Sequence, residues 1–497
     1  MLSNHRVKHN ERVKSGTQLI RRLRRLQRRI LILIYAASAS STLLLGTGCV
    51  SGTSGNTHAT LLITATNNAQ ISIFKFNLKG LTLVASDGSS VPLLSTPQVV
   101  ELGSINGVAR PLVALDVPQG IYTSVKLTYG PSIFVVIDRS GGAGTFDEGN
   151  YNILTPESSP VTVEQQLNAP LVVAGSAMGI LLDLNIPKST TYTPYLAGSS
   201  SLAPGGGKTT FNPVYSLSPV TLAAQPSTLL DGKVEGVHGQ ISTTSGGAFT
   251  IAADSGTPLS FVTSSSTIFA GANGAAAPPI GGFVDVDAAL QADGSMLATF
   301  VQTEGATQQY NIIGQILQYT EQLYLENTGR EQQGPNLPNG TGFYMNNVQF
   351  SSSPQFEIAW PNGTIPAGLP FTPTLIPSSI IPGQNVSTPV DALQTVSTIT
   401  PTTNIVTLEP QTIDGTVAQV STVNGQTSYQ VNLFSNDFIT LFGPSQQVMV
   451  YVTAATHTIT TSTLTSGSVE RFRGLLFNDA GTLRMVATEV VDGVAGS

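Results

Sequence analysis

From His58 onward the chain reads as short apolar runs in which β-branched and aromatic residues are interrupted every few positions by turn residues. Thr60-Leu61-Leu62-Ile63-Thr64, Ile71-Ser72-Ile73-Phe74-Lys75-Phe76 and Gly80-Leu81-Thr82-Leu83-Val84 are three such runs, separated by Asn67-Asn68 and followed by Asp87-Gly88. Ile71 and Ile73 against Ser72 show the period of two that half-buries a strand, although Phe74 breaks it. Beyond the N-terminal segment no stretch keeps apolar residues at spacings of three and four. The Glu, Lys and Arg that would solvate the outer face of a helix are also missing. The pattern therefore predicts an all-β protein with helix only in its leader.

Composition sharpens this picture. Of 497 residues only 10% are charged, against a usual ~25%. That excludes long solvated helices, coiled coils and a basic nucleic-acid-binding surface, so no nucleic-acid partner is expected. One cysteine excludes an internal disulfide framework and any multi-cysteine metal site. Length suggests about three domains of roughly 150 residues each.

The few charges are unevenly placed. Ten of the 22 basic residues precede Ile30, with only Glu11 opposing them, and the remainder of the chain has twelve basic against twenty-eight acidic residues, a net charge of −16. Arg21, Arg22, Arg24, Arg25, Arg28 and Arg29 lead into an apolar-to-small run, Ile30 to Gly48, that ends at Cys49. Basic, apolar and small-residue regions in that order make an export signal. Leu44-Leu45-Gly46-Thr47-Gly48-Cys49 resembles the lipobox of bacterial lipoproteins, with Gly46 where Leu is usual. The resemblance implies cleavage before Cys49 and lipidation (diacylglycerol and palmitate chains) of its thiol. Simple secretion and an uncleaved transmembrane helix are the alternatives, the latter weakened by Ser38, Ser40, Ser41 and Thr42. Arg28-Arg29 lacks the preceding Ser or Thr of a twin-arginine signal and reads as part of a basic leader.

Val117-Pro118-Gln119-Gly120-Ile121-Tyr122-Thr123-Ser124-Val125-Lys126-Leu127 resembles the Pro-x-Gly-x-Tyr turn and strand of a bacterial lipoprotein domain without an established activity. Val99-Val100-Glu101-Leu102 resembles that domain's short Val-Asp-Leu strand, with Glu101 in place of Asp. Gly179-Ile180-Leu181-Leu182-Asp183-Leu184 and Phe211-Asn212-Pro213-Val214 resemble its last strands. The resemblance covers about residues 58–218 and implies a transthyretin-like β-sandwich. Gly120 is expected to open its strand with positive φ or with backbone packed closely against it.

The second half repeats. Asp231-Gly232-Lys233-Val234-Glu235-Gly236-Val237 parallels Asp414-Gly415-Thr416-Val417-Ala418-Gln419-Val420. Phe261 to Ile268 parallels Tyr451 to Ile459, and Gly281 to Ala298 parallels Gly467 to Arg484. A weaker copy opens at Ile313-Gly314-Gln315-Ile316 and closes at Val406 to Leu408. These units resemble a second family, small β-barrel repeats of exported bacterial proteins, and units of this size are expected to fold as separate beads. In the middle copy, Trp360 to Thr403 holds eight prolines, which predicts an extended loop lying over the barrel rather than joining its sheet.

The expected architecture is thus an N-terminal antiparallel β-sandwich followed by about three small β-barrel-like repeats. The divisions are signal peptide 1–48, flexible tether 49–57, sandwich 58–218, linker 219–230 crossed by few contacts, repeat 1 at 231–304, repeat 2 at 311–410 with insertion 361–403, and repeat 3 at 411–493.

Candidate chemistry is sparse. Gly205-Gly206-Gly207-Lys208-Thr209 ends like a phosphate-binding loop, but the strand-like Phe211-Asn212-Pro213 follows it where a helix N-terminus is needed, so a hairpin loop is expected. His58, His238 and His457 lie in three separate domains without zinc-site spacing, and His457, aligned with Thr267, reads as solvent-facing. No Gly-x-Ser-x-Gly elbow occurs. Asp285 and Asp287 share one strand face roughly 7 Å apart, within the range a glycoside hydrolase needs. Repeat 3 has Arg471 and Arg473 at those positions, and the conserved charge with unconserved sign reads as a solvated face. Asp138, Asp147, Glu148 and Asn150 surround a glycine-rich loop, yet fit no EF-hand, and read as a solvated turn. Trp360 is the one tryptophan, placed to cover a barrel end or to stack on a sugar. No catalytic residue, metal or cofactor is expected. The reading is a lipid-anchored cell-envelope protein of structural or binding role, with an envelope polysaccharide or protein as partner. A carbohydrate- or surface-polymer-binding module is the alternative, and a glycoside hydrolase the third.

Overall fold

A computed structural model describes residues 55–492 apart from 67–70, 104, 106–107, 138–150, 155–159, 195–206, 221, 223–232, 254–255, 272–276, 304–309, 320–321, 327–331, 334–344, 361–364, 391–401, 424–425, 435–436, 438, 441–442 and 459–462. The described chain is built of strands, and its longest described helix is the four-residue α1, Ile186–Ser189. Cys49, the acidic loop Asp138 to Asn150 and the signal segment lie outside the described residues.

The first thirteen strands are β1 (Asn56–Thr66), β2 (Ile71–Ala85), β3 (Ser90–Leu94), β4 (Gln98–Glu101), β5 (Arg110–Pro118), β6 (Gly120–Tyr129), β7 (Ile133–Ile137), β8 (Tyr151–Leu154), β9 (Val161–Val173), β10 (Ala177–Asn185), β11 (Thr190–Pro194), β12 (Gly207–Phe211) and β13 (Tyr215–Val220). A sheet ordered β13-β10-β1-β5 faces a larger one built on β8-β7-β2-β6-β9, to which β3 and β4 add by pairing with β2. Leu61, Ile63, Ile180 and Leu182 from the first sheet meet Phe74, Phe76, Leu81 and Leu83 from the second in a single core. All pairings are antiparallel except β1 with β10, which is parallel. The tether is shorter than expected, because β1 already begins at Asn56 and Thr57 is fully buried. Lys208 and Thr209 of the phosphate-loop look-alike lie in β12, paired with β11 as a hairpin.

Two motif residues have local structural roles. Buried Glu101 accepts backbone N–H bonds from Phe74 at 3.0 Å and Gly103 at 2.8 Å, which suits a carboxylate at that position. Tyr122 donates its hydroxyl to the Pro118 carbonyl at 2.8 Å and so pins the Pro-x-Gly turn. Gly120 opens β6 but not for the expected reason. It is absent from the positive-φ residues, and a Cβ there would touch only the Tyr122 ring at 3.8 Å, an ordinary contact.

The repeats share one topology. Barrel 1 comprises β14 (Lys233–Ser245), β15 (Ala248–Ala253), β16 (Pro258–Val262), β17 (Ile268–Gly271), β18 (Phe283–Leu290) and β19 (Met296–Thr303). Barrel 2 comprises β20 (Tyr310–Tyr319), β21 (Gln322–Glu326), β22 (Gln332–Gln333), β23 (Met345–Ile358), β24 (Asn385–Val390) and β25 (Thr402–Leu408). Barrel 3 comprises β26 (Gln411–Val423), β27 (Gln426–Leu433), β28 (Gln447–Thr458), β29 (Val469–Asp479) and β30 (Thr482–Asp492), closed in the order β26-β27-β28-β30-β29. The pairings of the other two return to their first strands in the same order: β14-β15-β16-β19-β18 and β20-β21-β23-β25-β24. In each, the third strand runs parallel to the last. One bracket recurs to the atom: Thr267 Oγ1 donates to Ala298 O and Thr456 Oγ1 to Ala487 O, both at 2.7 Å. This bracket makes Thr456 the counterpart of Thr267, so His457 aligns with Ile268, one residue off the sequence alignment.

Two further expectations change. The proline-rich insertion does enter the sheet, since Asn385–Val390 is the fourth barrel strand, with Pro389 opposite Asn311 in β20. Residues 365–384 stay outside the sheet, and Leu375 and Ile380 pack with Leu475, Phe477 and Val486 of barrel 3 as well as with the core of barrel 2. Nor are the repeats separate beads. Leu62, Ala109 and Val220 of the sandwich belong to the core of barrel 1, with Leu181 and Leu222 packed on it, and Ala109 forms a β-bridge with Val234. Pro219 and Val220, assigned to a linker, are the end of β13. Residues 56–497 form one compact unit.

Candidate functional site

Among the described residues, buried charge is concentrated where barrel 3 meets barrel 1 and the sandwich. On β29, Glu470, Arg471 and Arg473 flank Phe472 ahead of the apolar run Leu475 to Phe477, and Arg473 is only 4% exposed. Its guanidinium reaches Glu235 on β14, 238 residues earlier, through Nε at 2.9 Å and Nη2 at 2.8 Å to one carboxylate oxygen. Burial works against the charge on Arg473. Glu235, Glu489 and Asp287 more than offset it and hold the group above its ordinary value. Glu489 is its cross-strand partner on β30 and is itself buried.

Asp285 and Asp287 are therefore not a wet face. Both are half-buried, and Asp287 Oδ1 accepts the Gly236 N–H at 2.9 Å while its charge acts on Arg473. Asp287 pairs with Phe300 on β19 as Arg473 pairs with Glu489 on β30, which makes Asp287 and Arg473 topological equivalents. Repeat alignment detected the sign inversion, but only the fold shows that the two positions lie in one junction. Asp183 of β10 joins from the sandwich: desolvation raises its pKa and the charge of Arg471 partly counters this. One carboxylate oxygen of Asp183 is buried without a hydrogen bond. Chemically the junction neutralises and fixes charge between three bodies. It does not set two carboxyls across a cleft as glycoside hydrolysis requires.

A second buried carboxyl was not anticipated. Asp437, 8% exposed in the turn after β27, accepts N–H bonds from Ile439 at 2.9 Å and Asp414 at 3.3 Å. Burial pushes its pKa to about 7, with the Asp414 charge adding to the rise. No period or spacing signals it, because the turn closes only in three dimensions.

The remaining candidates are dispersed. Trp360 lies half-buried with its ring stacked on Phe477 at 5.7 Å and 23°. Beside it Phe371 meets Phe477 and Tyr451 at 5.7 and 5.5 Å, and the Arg484 guanidinium sits 5.3 Å above Phe371. Arg484 is held by Asp479 at 2.7 Å and donates to the Tyr451 hydroxyl. Trp360 thus covers the wall of barrel 3. His58 is exposed beside Asp116 at 3.3 Å, whereas His238 is buried and stacked on Phe283 at 5.7 Å. His457 lies opposite Glu489 in the β28–β30 register. Among the described residues, no three His, Cys, Asp or Glu side chains are grouped to hold a metal, and no helix is long and apolar enough to cross a membrane.

Comparison with known proteins finds no family model that matches the chain and no curated protein that matches it.

Proposed function

We propose that the protein is exported, lipid-anchored through Cys49, and serves the cell envelope in a structural or binding role without catalysis. The observation that carries this reading is the order of basic leader, apolar run and lone cysteine, followed within seven residues by the first core strand at Asn56. Two or more acyl chains on one thiol give stable anchoring, which a single chain does not. The body suits a scaffold, because its buried charges join sandwich and barrels rather than line a cleft. The partner is an envelope polysaccharide or protein. The test is acyl-lipid labelling of the full chain against Cys49→Ser. Label and processing should both be lost in the variant. A wild-type chain that takes no label and keeps its N-terminus would overturn the reading.

A further inference from the structure

We propose that the end of the sandwich nearest the anchor rests on the lipid surface through the side chains of Ile121 and Val172. The proposal rests on acylation at Cys49. Residues 50–55 are all that separate that cysteine from β1, and the seven steps from Cys49 to Asn56 reach at most about 25 Å, so whatever surrounds the start of β1 is held close to the bilayer.

The register identifies what lies there. Asn56 is opposite Pro118, Thr57 Oγ1 donates to Gly175 O at 2.8 Å, and Gln119 Nε2 donates to the same carbonyl at 3.0 Å. The turns 118–120 and 174–176 therefore flank the chain's entry into the sandwich. Just inside them Ile121 and Val172 face each other across β6 and β9, 54% and 56% exposed. Of the eight large hydrophobic side chains exposed among the described residues, these two alone are directly paired. Beside them, four residues of β9 bulge against one of β6, which leaves Ala169 and Pro170 exposed. Residues 117–125 and 165–182 contain no charge, so no charged side chain on either segment has to be desolvated as the pair enters the interface. The His58–Asp116 pair belongs to the other sheet. An acyl anchor supplies the attachment, and a small apolar contact sets the orientation of the body on the membrane.

The experiment uses the full acylated chain in phosphatidylethanolamine–phosphatidylglycerol vesicles carrying brominated lipid. Ile121→Trp and Val172→Trp are compared with Thr162→Trp, an exposed position at the far end of the same edge strand, with Trp360 emission of the parent subtracted. Brominated lipid should quench the first two and leave the third bright. Equal emission from all three, in protein that carries the acyl label, overturns the docking while the anchor stands. Emission that ignores brominated lipid but rises with protein concentration assigns the pair to a second copy and also overturns it. Absence of acyl label is a failure of the anchor itself, read separately on the same samples.

Discussion

Asp287 and Arg473 occupy the same position in two copies of one barrel, carry opposite charges, and meet electrostatically at the junction of those copies. Repeats that began alike would repel or gap at that contact. Inverting one sign lets barrel 1 and barrel 3 pack with Arg473 buried against Glu235. A buried ion pair of this kind specifies which surfaces meet, while its net stabilisation is small once desolvation is counted.

Breaking that pair from one side should therefore be costly. Arg473→Met leaves Glu235 without its guanidinium and is expected to destabilise by about 3–5 kcal/mol. Glu235→Leu combined with Arg473→Met should recover part of the loss, the remainder reflecting Glu489 and Asp287, which also face the guanidinium. Urea unfolding of the four proteins gives the coupling, and additive losses would deny the interaction.

Asp437 should make stability fall as pH rises. Its folded pKa, about 7, lies above the ordinary carboxyl value of 3.8, so its contribution is fully present below pH 3.8 and lost as pH climbs through 7. Asp437→Asn, neutral throughout, should gain on wild type from pH 5 up to about pH 7 and level off by pH 8. Unfolding free energies across that range check it, and a constant difference would place the carboxyl in solvent.

The sandwich and barrel 1 should melt together. Leu62 lies on a sandwich strand yet is fully buried in the core of barrel 1. Leu62→Ala is expected to cost about 2–5 kcal/mol and to lower protease resistance on both sides of residue 222. A protease nick within 223–230 should leave the two pieces associated in gel filtration. Separate calorimetric transitions would restore the bead picture.

Gly239 and Gly120 should respond to alanine with costs of different size. A Cβ at Gly239 would lie 2.5 Å from the Ala252 carbonyl oxygen on the neighbouring strand, whereas at Gly120 it meets only an aromatic ring at ordinary distance. Gly239→Ala should cost about 1–3 kcal/mol and Gly120→Ala less than about 0.5 kcal/mol. Melting curves rank the two directly.

Much of this architecture was legible in the residues because strand identity is a local property. Alternating β-branched runs, scarce charge and Gly or Asp turns specify β1, β6 and the barrel strands without reference to anything distant. The opening match of the repeats does not hold. Gly415 is the counterpart of Gly239 and not of Gly232, since Gly239 pairs with Val284 as Gly415 pairs with Glu470 and each crowds the strand beside it. The parallel of Asp231–Val237 with Asp414–Val420 is therefore seven residues out of register. What those runs could not convey was partnership. Strand β1 pairs in parallel with β10 some 120 residues later, and Asn385–Val390 enters a sheet despite Pro389, because backbone pairing depends on which edges tertiary packing brings together. The charged positions depended on it most. Asp287 between valine and alanine looks like any wet strand face. Whether that face meets water or a buried arginine is decided by the body docked against it, through desolvation and charge complementarity that no local pattern records.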